Sequence, residues 1–205
     1  WQALFYRMVF GERSAQGTPL PHTRIAPSTC IEGEEGLQLA DYVFIGHFNF
    51  LDAAGGLRID EGVQITNFVS IVTHSSHRSL RLLGPAFATW AGPGERPGWI
   101  AAPVEIGAWS YIGPHCVIEA GSRIGRGSVV RAGTRVRGSF PDFAVLEGSP
   151  AQVVGDSRDG DETLLQRHPQ CREHHAAWTA APAPGPAAGP RSPARNPPPR
   201  QAPFR

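Results

Sequence analysis

The chain has no lysine: all 19 of its cations are arginines among 205 residues. Any mechanism that needs a lysine, the P-loop phosphate cradle included, is thereby excluded. Cysteine is scarce as well. Cys30, Cys116 and Cys171 are odd in number and far apart, with no CxxC pair. That spacing argues against a disulfide scaffold or a zinc knuckle and fits a reducing compartment, so a cytoplasmic setting is expected. No apolar run approaches the ~20 residues that span a bilayer, and no transmembrane segment is expected. The formal charge of +1 hides a split, because residues 180–205 hold four arginines and no acid. The rest carries a slight acidic excess and no phosphate-tracking footprint, so nucleic acid is not an expected partner. The first residue is Trp1 rather than Met. The natural start is therefore expected to precede it, and Trp1–Phe10 lacks the basic stretch and cleavage site of a leader.

What is abundant is glycine (24) and proline (20). Such a density of helix breakers argues against a helical bundle, and the length allows one compact domain with appendages. A branched aliphatic then recurs every six positions: Ile106, Ile112, Ile118, Ile124, Val130, Val136. Four residues after each comes a small or modest side chain, at Ser110, Cys116, Ser122, Ser128 and Thr134, with Phe140 the exception at the end. The same frame runs upstream through Leu39, Ile45, Leu51 and through Ile59, Ile65, Ile71, with two extra residues near Gly55–Arg58. Ile25, Ile31 and Leu37 hint at a looser turn before it.

A period of six matches neither the 3.6 of a helix nor the 2.0 of a strand. It does match a short strand followed by a corner. Three such units close a triangular coil of about 18 residues, and coils stack at the ~4.8 Å strand spacing. The expected fold is all-β, a parallel β-helix of hexapeptide repeats, with Ile106 beneath Ile124, Ile112 beneath Val130 and Ile118 beneath Val136. Residues 25–155 form this domain, after an N-terminal segment 1–24. The repeat is broken from His77 to Pro103, where Trp90 and Trp99 point to an ordered protruding loop. Residues 156–179 read as a short helical C-terminal segment. Residues 180–205, with nine prolines, read as disordered tail.

Histidine is the distinctive candidate base. His74 and His77 lie in Thr73-His74-Ser75-Ser76-His77, at the root of the loop, where rigid coils can position an imidazole that still meets solvent. A pair of idle corner histidines is the alternative. His115 sits at an outward hexad position and reads as surface. His47, Asn49 and Asp52 could line a cleft, although a corner-ladder role fits Asn49 equally. Cys116 occupies the small inward slot and reads as a buried structural thiol. No nucleophile elbow surrounds Ser75 or Ser76.

On the hexads, the Thr-His-Ser-Ser-His segment with its loop, Pro103–Gly107, Tyr111-Ile112-Gly113, and the closing Phe140-Pro141-Asp142-Phe143 with Gly148–Ala151, the chain resembles the hexapeptide-repeat acyltransferases, the group that includes galactoside, maltose and polysaccharide O-acetyltransferases. The resemblance covers roughly residues 29–155. It implies a left-handed coil, against the usual right-handed crossover. It also implies a homotrimer with acetyl-CoA as co-substrate between neighbouring coils, and no metal. The implied reaction is acyl transfer to a sugar hydroxyl in polysaccharide or glycolipid modification. His74 or His77 falls on the general base. Tyr111, Ala132, Gly133, Arg135 and Arg137 fall on the positions that contact the acyl donor, and Asn49 and Asp52 on the acceptor side. Two other readings stand beside this one: a γ-carbonic-anhydrase-like metal site drawn from His74, His77 and His115, and a non-catalytic β-helix scaffold.

Overall fold

A computed structural model describes residues 9–92 and 96–180. The expected tail, apart from Ala180, and residues 1–8 of the N-terminal segment lie outside the described residues. Three stacks of short parallel strands form the walls of a prism. The first face holds Phe44–Ile45, Gln64–Ile65, Tyr111–Ile112 and Val129–Val130; the second holds Cys30–Glu32, Phe50–Asp52, Ser70–Ile71, Val117–Ile118 and Arg135–Val136. The third holds Leu37–Leu39, Leu57–Ile59, Val104–Ile106, Arg123–Ile124 and Ser139–Phe140.

The stacking register is the expected one in the C-terminal half: Ile106 pairs with Ile124, Ile112 with Val130, Ile118 with Val136. All six are essentially inaccessible to solvent. Burying each contributes roughly 1.5–3 kcal/mol. Upstream the coil is longer, because Leu39 pairs with Ile59, Ile45 with Ile65 and Leu51 with Ile71. The frame Ile25, Ile31, Leu37 needs correction here. Ile25 pairs with Ile45 and Ile31 with Leu51, but the third-face residue in register is Leu39. Leu37 pairs with Leu57 and is buried beside it, since residues two apart on a strand share a face.

The corners bend through left-handed backbone. Glycine supplies it at Gly62, Gly121, Gly127 and Gly133, but Tyr42, Phe48, Phe68, Trp109, His115 and Phe143 adopt it too, with φ near +60°. That costs an ordinary residue roughly 1–2 kcal/mol. At the corner between first and second faces the rings stack, Phe48 on Phe68 at 5.2 Å and Phe68 on His115 at 5.0 Å, which offsets part of that cost.

Both ends are closed by antiparallel strands on the first face. Val9–Arg13 pairs with Pro19–Ile25 at one end, and Ala144–Gly148 with Ala151–Asp156 at the other. Helices α1 (His77–Leu83), α2 (Asp161–Arg167) and α3 (Arg172–Thr179) lie outside the prism. Trp178 of α3 packs on Phe143, and Arg126 donates to the carbonyls of Trp178 and Thr179. No described helix is long and apolar enough to cross a membrane.

Candidate active site

The chain leaves the second face at Ile71 and reaches the corner toward the third face at His74. There His74–Ser75 pairs antiparallel with Ile100–Ala101, and Ala102 N–H donates to Thr73 C=O at 2.9 Å. The excursion therefore starts and ends on one pinned corner, and His74 lies in its base. Its ring is part exposed, with 30% of the side chain accessible.

Beneath it, at the end of Phe50–Asp52 one coil earlier, Asp52 is 1% exposed. Its Oδ2 lies 2.7 Å from His74 Nδ1, off the line of a straight hydrogen bond. The other bonds are well formed. Thr73 N–H donates to Oδ2 at 2.8 Å and Ala54 N–H to Oδ1 at 2.9 Å. Burial by itself would raise the Asp52 carboxyl. The N–H groups of Thr73 and Ala54, the Thr73 hydroxyl and the neighbouring imidazole outweigh it, holding the carboxyl below the usual range. At neutral pH the group is a carboxylate. It occupies the Nδ1 edge and leaves Nε2 as the ring nitrogen open to a reactant. Trp99 stacks on the ring, centroids 4.7 Å apart and planes 15° from parallel.

His77 is placed differently. It opens α1, is exposed, and has its Nδ1 2.7 Å from Ser75 Oγ. No carboxylate orients it among the described contacts. His74 and His77, which the sequence left undecided, thus differ in one respect: only His74 has a buried carboxylate against its ring among the described contacts.

Several candidate residues stand elsewhere. Asn49 is buried, and its amide is consumed by the corner: Nδ2 donates to Gly46 and Thr66 carbonyls, and Oδ1 accepts from Val69 N–H. Its amide is thus committed to the corner, the alternative that the sequence offered beside an acceptor-side role. Asp52 likewise faces His74 and the backbone, not a cleft. Tyr111 stands 41% exposed on the first face, and Ala132-Gly133 turn the corner between first and second faces. Arg135 and Arg137 both meet Glu119; Arg137 Nε is 3.8 Å from its Oε2. Within one chain, then, Tyr111, Ala132 and Gly133 are not brought to His74. His115 belongs to the phenylalanine stack on the other corner, so His74, His77 and His115 do not converge as metal ligands would. Cys116 is fully buried, donating to Arg131 C=O at 3.1 Å, and burial pushes its thiol up.

No protein-family model matches the chain. A probable acetyltransferase of Mycobacterium tuberculosis is 30% identical over 131 residues, 63% of this chain and 41% of that protein. The galactoside O-acetyltransferase of Escherichia coli is 31% identical over 94 residues, 46% of this chain and 40% of that protein. The chain spans about two fifths of the length of the curated relatives it matches. Among solved structures, AntD, an N-acyltransferase from Bacillus cereus in complex with dTDP and 3-hydroxybutyryl-CoA, superposes with a TM-score of 0.55 at 16% identity. The match covers 74% of this chain and 89% of that one, a likeness of fold. In sequence the chain is similar to these acetyltransferases, and in fold, a coil of stacked short strands, to AntD.

Proposed function

We propose that the chain is the β-helical part of an acetyl-CoA-dependent O-acetyltransferase whose acceptor is a sugar hydroxyl, in polysaccharide or glycolipid modification. The observation that carries the reading is the His74 imidazole held between a buried carboxylate and a tryptophan at the root of the excursion. The acceptor hydroxyl donates to His74 Nε2. As its oxygen attacks the thioester carbonyl, the imidazole takes the proton and Asp52 stabilises the imidazolium. The tetrahedral adduct then collapses: the C–S bond breaks, the imidazolium returns its proton to the leaving sulfur, and ester and CoA thiol are released.

The sugar acceptor draws support from the galactoside enzyme among the relatives. The acyl-CoA donor is in keeping with AntD, which shares the fold and whose complex holds an acyl-CoA. Tyr111, Ala132 and Gly133 serve the donor only from a neighbouring copy, which makes a homotrimer of left-handed coils part of the reading. Arg137 follows the second face toward the His74 corner, and with Arg135 it is the candidate contact to the adenosine phosphates.

The test is thiol release from acetyl-CoA with a panel of galactosides, maltose and nucleotide sugars, using the full chain. Acceptor-dependent release that His74→Ala abolishes and His77→Ala spares is expected. Release unaffected by His74→Ala overturns the reading, and failure to bind CoA at millimolar concentration favours the scaffold reading instead.

A further inference from the structure

We infer that Trp99 is a positioning residue for His74, and that the excursion loop is built around delivering it. This rests on the general-base reading above and extends it to a residue outside the coils. An Nδ1–carboxylate contact fixes one edge of an imidazole but leaves the ring free to swing about that edge. The Asp52 contact is itself off-axis, so it restrains the plane weakly. Trp99, stacked at 4.7 Å and 15°, supplies the missing restraint. With edge and plane both fixed, the direction of Nε2 is fixed too.

The loop holds Trp99 from both sides in sequence. On one side Ile100–Ala101 is paired with His74–Ser75, so tryptophan and histidine sit on adjacent, hydrogen-bonded strands. On the other, buried Ser79 of α1 donates to Pro97 C=O at 2.7 Å, and Trp99 N–H donates to Arg96 C=O at 3.0 Å. Between them Gly98 has φ +72°. A Cβ there would lie 2.9 Å from Arg78 Cβ and 3.0 Å from both Leu82 Cδ1 and Ser79 N. Only glycine lets the chain approach α1 this closely. The Arg96 guanidinium lies over the Trp99 ring at 5.3 Å and over Phe87 at 4.6 Å, tying the indole to the remainder of the loop. An indole engaged by His74 and Arg96 is not a free platform for a sugar, so its use is toward the histidine.

A small misalignment of a reacting nitrogen costs ~10²-fold in rate. Trp99→Ala is therefore expected to lower kcat ~100-fold while KM for acetyl-CoA holds, and Trp99→Phe, which keeps a stackable ring, to recover kcat to within about threefold. Gly98→Ala, which leaves the indole in the sequence but displaces the loop, is expected to lower kcat in the same direction. Thermal melts of each variant separate misfolding from misalignment. If Trp99→Ala retains wild-type kcat while His74→Ala abolishes turnover, the positioning role is overturned and the general base stands. A Trp99→Phe variant as slow as Trp99→Ala, with an unchanged melt, also overturns it. If His74→Ala is itself fully active, the general-base reading falls first and takes this inference with it.

Discussion

Of the three histidine–aspartate pairs among the described residues, two are built alike, through Nδ1 and with the ring stacked face to face on an aromatic, and they differ in one respect. His22 has its Nδ1 2.9 Å from Asp41 Oδ2 and its ring stacked on Tyr42 at 4.3 Å. His74 has its Nδ1 2.7 Å from Asp52 Oδ2 and its ring stacked on Trp99 at 4.7 Å. The difference is depth. The His22 and Asp41 side chains are 54% and 23% exposed, against 30% and 1% for His74 and Asp52. Asp41 shares its field with water. Asp52 sits in the prism wall, where its charge acts on two backbone N–H groups, the Thr73 hydroxyl and one imidazole. The lower dielectric there strengthens its effect on a proton moving at the far ring nitrogen. Residue identity does not make the site; burial of the carboxylate does, together with a roof contributed by a different segment.

The sharpest way to break this contrast is to remove each histidine in turn. His74→Ala is expected to lower kcat by ~10³-fold and His22→Ala to leave it within about twofold, read by thiol release at saturating acetyl-CoA. Equal losses would abolish the distinction. Next come the carboxylates. Asp52→Asn is expected to cost ~10²-fold in kcat by loosening the imidazole, whereas Asp41→Asn stays within about twofold. A third variant sharpens the boundary of the site. Asn49→Ala is expected to destabilise the fold by about 1–3 kcal/mol in a denaturant melt, since it strands the Thr66 carbonyl and the Val69 N–H, with the acceptor KM unmoved. A specific rise in that KM would return Asn49 to the acceptor side.

The smallest effect is in acid. Slight burial raises the Asp41 carboxyl, but hydrogen bonds from the His22 ring, the Tyr42 and His22 N–H groups and the Thr23 hydroxyl bring it down to about 2. Asp52 is shifted in the same direction. A carboxyl whose pKa is depressed by folding stabilises the protein above its unfolded value near 4. That contribution is lost as pH falls through the folded value. Asp41→Asn should therefore lower stability at pH 6 and flatten its decline between about pH 4 and 2, measured by denaturant midpoints across that range.

Much of this could be read from the sequence, and for a definite reason. In the C-terminal half one buried aliphatic recurs every six residues, so Ile106 to Val136 announce their own stacking. The two-residue extension was visible at Gly55–Arg58 but not before Leu39. Leu37 and Leu39 are both apolar and both inward, and composition alone does not choose between them. The choice between His74 and His77 depended on a carboxylate lying one coil below. That signal was present, since upstream coils run 20 residues and Asp52 precedes His74 by little more. Reading it requires the coil length first. Arg135 and Arg137 show the same blind spot, because their partner Glu119 also lies one coil below. Asn49 shows another: a buried amide that closes a corner and an exposed one that meets a sugar have the same letter.

The excursion is anchored at a single corner, by the His74–Ala101 pairing and the Ala102–Thr73 bond. A cassette with both ends at one point can be lengthened, shortened or exchanged without shifting the rungs above and below it. Yet this one carries the indole that meets the imidazole. If His74 and Trp99 act as proposed, a swap designed to change the acceptor would also discard catalytic alignment unless the incoming segment brought an aromatic ring to the same place, so selectivity and rate would be inherited as one unit.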